Sequence, residues 1–223
     1  MSSGRALRRL RFTGRIAGFG TASGTRVVLG LWQTTPFGAF ADAMVERGDG
    51  HRMLVAPSPE VAEFIADTYA FDELRVEPVS WRRIDGGLAA SAGPLSVSLR
   101  LGGPTPLGRL LRIVPGPVAE HPVWLTAISP VASLLVEGVG TAGSAGHGRR
   151  EYYGVRTIRR IHGVEATLEG ADLGGLRPLS PPVHFGFSSA PATPAIVDVT
   201  TTIALPRDSR PAPTAPRERG RSS

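Results

Sequence analysis

The chain has no cysteine, and none of its 25 basic residues is a lysine, so every one is an arginine. Without lysine it cannot form a Schiff base, anchor pyridoxal phosphate or complete a P-loop. Without cysteine it has neither a thiol nucleophile nor a thiolate metal ligand, and no thiol pattern marks a redox compartment. Apolar runs fall short of the roughly 18 to 20 residues that span a bilayer. The opening stretch from Met1 to Arg11 lacks the apolar core of a secretory signal, so a cytoplasmic location is expected. The missing lysine accompanies abundant Arg, Ala, Gly and Pro, the usage of a GC-rich genome.

What is present is enough for one sizeable core: 41% of the 223 residues are hydrophobic, and residues 1–205 read as a single domain. Beyond Pro206 the composition turns to Arg, Pro, Ala and Ser, which reads as a disordered tail over 206–223. The formal charge of +6 suggests a polyanion partner until it is located. Residues 1–15 hold five Arg and no acid, and residues 206–223 hold five Arg against Asp208 and Glu218. The stretch between them carries 15 Arg against 17 acids, a net charge of −2. A slightly acidic body with basic ends gives no strong nucleic-acid signal.

Strand periodicity dominates. Leu10, Phe12, Gly14, Ile16 and Gly18 alternate with Arg9, Arg11, Thr13 and Arg15, a half-buried strand with its arginines toward solvent. Further strands read at Arg26 to Trp32, Phe40 to Glu46, His51 to Ala56, Leu74 to Ile84, Leu95 to Leu101, Arg149 to Ile161, Val164 to Leu168, Val183 to Phe187 and Ile196 to Leu205. Arg47-Gly48-Asp49-Gly50 supplies a hairpin turn. Ser58-Pro59, Thr105-Pro106 and Ser129-Pro130 each put a hydroxyl at an N-cap and a proline, with no N–H to leave unsatisfied, at the first helical position. Val118 to Ile128 suggests another helix. The fold expected is α+β, an antiparallel β-rich barrel or sandwich with three or four short helices.

The chemistry-bearing patterns are sparse. Gly138 to Gly143 matches G-x-G-x-x-G, but no helix follows to meet a pyrophosphate, so it reads as a loop. His51, His121, His147, His162 and His184 show no metal-ligand spacing, and no serine lies in G-x-S-x-G. Neither a metal nor a cofactor is expected. Strand alternation places Arg150, Tyr152, Arg156 and Arg160 on one face of Arg149 to Arg160. That face is a solvated surface if it looks outward. If it looks inward it is an anion pocket, because the planar guanidinium fork suits carboxylate or phosphate.

Thr34-Thr35-Pro36-Phe37-Gly38-Ala39-Phe40-Ala41-Asp42, between a strand and a hairpin, resembles the small-Pro-x-Gly-x-aromatic-x-acid segment of acetoacetate-decarboxylase-like proteins. The order of later pieces is similar: the helix after Ser58, Ala70-Phe71-Asp72-Glu73, and a strand pair around Val183 and Ile196. The resemblance implies a β-barrel shell around a small-molecule cavity. In that family Gly-Phe-Pro-Lys supplies the Schiff-base lysine, and here Glu73 stands at the lysine's place, so decarboxylation by that route is excluded. Two functional readings remain. One is a binder of a small anionic molecule, with Arg150, Tyr152, Arg156 and Glu73 at the site, whether or not it is catalytic. The other is a β-rich interaction module whose basic termini contact an acidic partner. Oligomeric state is not readable from the strand pattern.

Overall fold

Fifteen elements follow one another in the computed structural model, which describes residues 8–111, 142–145, 149–185 and 192–205. They are β1 (Arg8–Thr21), β2 (Arg26–Thr34), β3 (Phe40–Glu46), β4 (Arg52–Ala56), α1 (Pro59–Ala66), β5 (Glu73–Val76), β6 (Val79–Ile84), β7 (Gly87–Ala92) and β8 (Leu95–Pro104). After them come α2 (Pro106–Leu111), β9 (Ala142–Ala145), β10 (Arg149–Leu168), β11 (Ala171–Asp172), β12 (Leu176–Arg177) and β13 (Ala195–Leu205). The strands form one sheet along the path β5-β4-β3-β2-β1-β13-β10-β8-β7-β6, curled into a half-barrel. Pairing is antiparallel except between β4 and β5, where the crossover through α1 makes the pair parallel.

The concave face holds the main core. Ala17 and Phe19 of β1, Leu29 and Leu31 of β2, Met53 and Val55 of β4, Leu88 of β7, Leu99 of β8 and Ile196 of β13 pack into it. Burying each large side chain contributes on the order of 1.5–3 kcal/mol. The alternate residues of β1 are buried as well: Leu10, Phe12 and Ile16 face the convex side. There Phe12 stacks on Phe64 of α1 at 5.4 Å and meets Trp32 edge-on at 5.8 Å. The amphipathic reading of β1 therefore identified a covered convex face, while the opposite face runs into the deeper core.

Both described helices start as their sequences predict. The Ser58 hydroxyl accepts the Val61 N–H, and the Thr105 hydroxyl accepts the Gly108 N–H at 3.0 Å. Gly108 also lets α2 lie against β10, because a Cβ there would stand only 2.6 Å from the Ile158 carbonyl oxygen. Two helices stand where three or four were expected; the segments at Ser129-Pro130 and Val118 to Ile128 lie outside the described residues, as does the tail over 206–223. Among the described residues no helix is long and apolar enough to cross a membrane.

Three strand boundaries differ from expectation. The stretch Leu74 to Ile84 is two strands, because Pro78 cannot donate to a ladder and the chain turns there from β4's edge to β7's. The stretches Arg149 to Ile161 and Val164 to Leu168 join into one long β10, with register shifts absorbing the irregularity around Gly163. Val183 and Phe185 are buried in a loop that crosses the convex face, where a strand was expected.

That loop is held by a buried ion pair. Arg26 and Glu46 are register partners on β2 and β3, joined at 2.8 Å, and the Glu46 side chain is 1% exposed. Glu46 also accepts the His184 backbone N–H and the His184 Nδ1–H, both at 2.7 Å. Arg26 donates to the Pro181 carbonyl at 2.8 Å. Breaking such a pair leaves an uncompensated buried charge, whereas replacing both members with apolar groups does not. Glu46→Ala is expected to lower unfolding stability by about 3–5 kcal/mol, and the double variant Arg26→Met/Glu46→Leu by less than Glu46→Ala alone. Urea unfolding of the three proteins checks this; a double variant at least as unstable as the single one contradicts it.

Candidate functional site

Two of the sheet's irregularities face each other across the β1–β13 pair. In β2, Thr34 pairs with Thr13 and Trp32 with Gly14, so Gln33 is an extra residue. In β10, Val155 pairs with Val199 and Thr157 with Asp198, so Arg156 is an extra residue. Bulges of this kind bend a strand and re-aim its side chains, and they gather beside functional sites. Both extra residues line a single cleft of about 750 Å³.

The β10 bulge also exchanges the two faces of its strand. Beyond it Arg159, opposite Ile196, joins the concave face, and Arg160, opposite Ala195, goes to the convex one. Uninterrupted alternation groups Arg160 with Arg156 and puts Arg159 on the other side, and the bulge reverses both. The ladder sets Arg150 opposite Ala204 and Tyr152 opposite Thr202, on the N-terminal side of the bulge. Of the residues expected at the site, Arg156 lines the cleft.

Arg15 and Arg159 complete it, each held in a specific way. Arg15 Nε donates to Asp198 Oδ1 at 2.8 Å, between register partners on β1 and β13. Arg159 Nε donates to the Gly102 carbonyl on β8 at 2.8 Å. Each guanidinium is thus oriented through its inner nitrogen, and its terminal nitrogens have no hydrogen-bond partner among the described residues. The lining contributes three guanidinium groups against the one carboxylate of Asp198. Such terminal N–H edges suit planar anionic oxygens. The hydroxyl of Thr157, also in the lining, is buried without a hydrogen-bond partner among the described residues.

Glu73 lies elsewhere. It sits on β5 at one end of the sheet path, with β4, β3, β2, β1 and β13 between it and β10. There it accepts from Arg75 Nε and contacts His51 Nε2 at 3.0 Å. Arg75, and secondarily His51, hold its carboxyl below the usual carboxylate range. The neighbouring Asp72 is held well below that range by hydrogen bonds from the Arg52 guanidinium and the Arg52 backbone N–H. These are surface ion pairs that fasten β5, and Arg75 reaches on to Glu169 at 3.0 Å. Among the described residues no group of three or more His, Asp or Glu side chains is placed to hold a metal.

Asp42 is the acid that stands apart. It lies on β3 on the convex side, 2% exposed, opposite Gly30 of β2, and accepts the Trp32 indole N–H at 2.9 Å. Gly30 makes this possible, since a Cβ there would collide with the Asp42 carboxyl and the Trp32 nitrogen. Burial raises the Asp42 pKa to about 7, against the opposing pull of the indole hydrogen bond. The folded state then binds a proton that the unfolded chain releases near pH 4, so stability falls as pH rises between those values. The loss attributable to Asp42 is on the order of 3–4 kcal/mol. Urea unfolding at about pH 5 and about pH 8 should show wild type losing more stability than Asp42→Asn over that interval; equal losses contradict the assignment.

Comparison with protein-family models, with characterised proteins and with solved structures found no match, so the residues and their geometry alone support a functional reading.

Proposed function

We propose that the protein binds a small anionic molecule, without covalent attachment, in the cleft lined by Arg15, Arg156 and Arg159. The observation that carries this reading is the fixing of two guanidinium groups through Nε beside a double-bulged stretch of sheet, with their outer nitrogens unpaired among the described residues. A volume of about 750 Å³ matches a site for a small organic molecule. Leu111 and Pro104 also line the cleft, so a ligand's carbon skeleton meets them while its charge meets arginine.

The sequence resemblance to acetoacetate-decarboxylase-like proteins implies a small-molecule site within a β-barrel shell, and the absence of lysine keeps Schiff-base chemistry out of the proposal. Glu73, tied to Arg75 and His51 on β5, takes no part. Asp198 is engaged by Arg15, so recognition, with no proton transfer assigned, is the activity proposed.

A ligand that binds only the native state raises its unfolding midpoint, by about 2.7 kcal/mol of stabilisation at a hundredfold excess over Kd. Thermal-shift titration with inorganic phosphate and simple carboxylates should raise the wild-type midpoint. Arg159→Ala and Arg156→Ala should each abolish most of the shift. A shift that survives both substitutions contradicts the site.

A further inference from the structure

We propose, resting on the anion-site reading above, that the cleft is a two-point clamp selective for a short dianion, such as a short-chain dicarboxylate, over a monoanion of similar size. Arg15 and Arg159 stand on different strands and are drawn in different directions. Arg15 belongs to β1 and leans over β13 to Asp198, while Arg159 belongs to β10 and leans toward β8 and Gly102. Their anchor points on β13 and β8 are two strand spacings apart along the sheet path, roughly 10 Å. One carboxylate cannot engage both guanidinium groups across that span. Two carboxylates joined by a short chain can, each taking the outer N–H edge of one arginine.

The charge balance points the same way. Among the described lining residues Arg15 and Arg159 both present outer N–H edges, so the cleft offers two cationic contacts, which a dianion can occupy together and a monoanion cannot. Asp198 has a definite part here. It orients Arg15 through Nε, and it repels any carboxylate that settles over β13, so the first anionic group is directed to the outer edge of Arg15. Arg156, at the bulge between the two anchors, supplies positive charge along the ligand's length. Arg15 is therefore a specificity-determining residue, and Arg159 the primary anion contact.

Isothermal titration of the full chain with glutarate and with butyrate tests the clamp, with inorganic phosphate as a third probe. Glutarate is expected to bind wild type at least tenfold more tightly than butyrate. Arg15→Gln should weaken glutarate at least tenfold and by a larger factor than it weakens butyrate, and Arg159→Gln should weaken both. Equal wild-type affinities for glutarate and butyrate would overturn the clamp while leaving the anion site standing. If glutarate, butyrate and phosphate all fail to bind wild type, the anion-site reading falls and the clamp with it. The wild-type comparison of the two acids decides the question even where a substitution impairs folding, which the ligand-free unfolding midpoint of each variant reports.

Discussion

Insertion of β13 between β1 and β10 is the constraint on which this molecule depends. Residues Ala195 to Leu205 hydrogen-bond to β1 along one edge and to β10 along the other, joining the meander β1 to β5 to the group formed by β10, β8, β7 and β6. Without that strand, each part would present an unpaired edge and half of an apolar face, the situation that sheets avoid. The pairing is also the most nonlocal among the described strands, bringing Arg8 opposite Leu205 and Arg15 opposite Asp198. Such contacts require closure of nearly the whole chain before they contribute stability, which predicts a slowly forming sheet.

The same strand makes the cleft. β1 follows β13 without a register shift, whereas β2 accommodates β1 with a bulge at Gln33 and β10 accommodates β13 with a bulge at Arg156. The bulge at Arg156 moves Arg159 onto the concave face, and β13 brings Asp198 up to Arg15. Apolar core on this face ends at Ala17, Ile196 and Ile161, and the next positions along the sheet carry the charged groups. Where the core stops, a polar recess begins.

Much of the local structure was legible because its causes are local. Ser58-Pro59 and Thr105-Pro106 cap helices through atoms three residues away, and Arg47 to Gly50 turns a hairpin within four. Other features escaped for physical reasons. β7, Gly-Leu-Ala-Ala-Ser-Ala, has small residues of weak strand preference and is a strand because β6 and β8 pair with it. The bulge at Arg156 has no sequence signal of its own, since register is decided jointly with β13, and a one-residue shift exchanges every later side chain between faces. Arg156, grouped by alternation with Arg150 and Tyr152, lines the cleft. Uninterrupted alternation places Arg159 on the opposite face, and Arg15 reads as a solvent-facing arginine because its partner, Asp198, lies 183 positions away.

The central claim is that arginines of the sheet, and not those of the basic termini, recognise an anion. Heteronuclear NMR of the arginine side-chain Nε–H groups during titration with glutarate measures this directly. The account predicts progressive, saturable shifts of the Arg15 and Arg159 Nε–H resonances, whose hydrogen bonds to Asp198 and Gly102 fix both groups at the cleft. Shifts confined to the arginines of residues 1–9 and 206–223, with Arg15 and Arg159 unmoved at saturation, would contradict it.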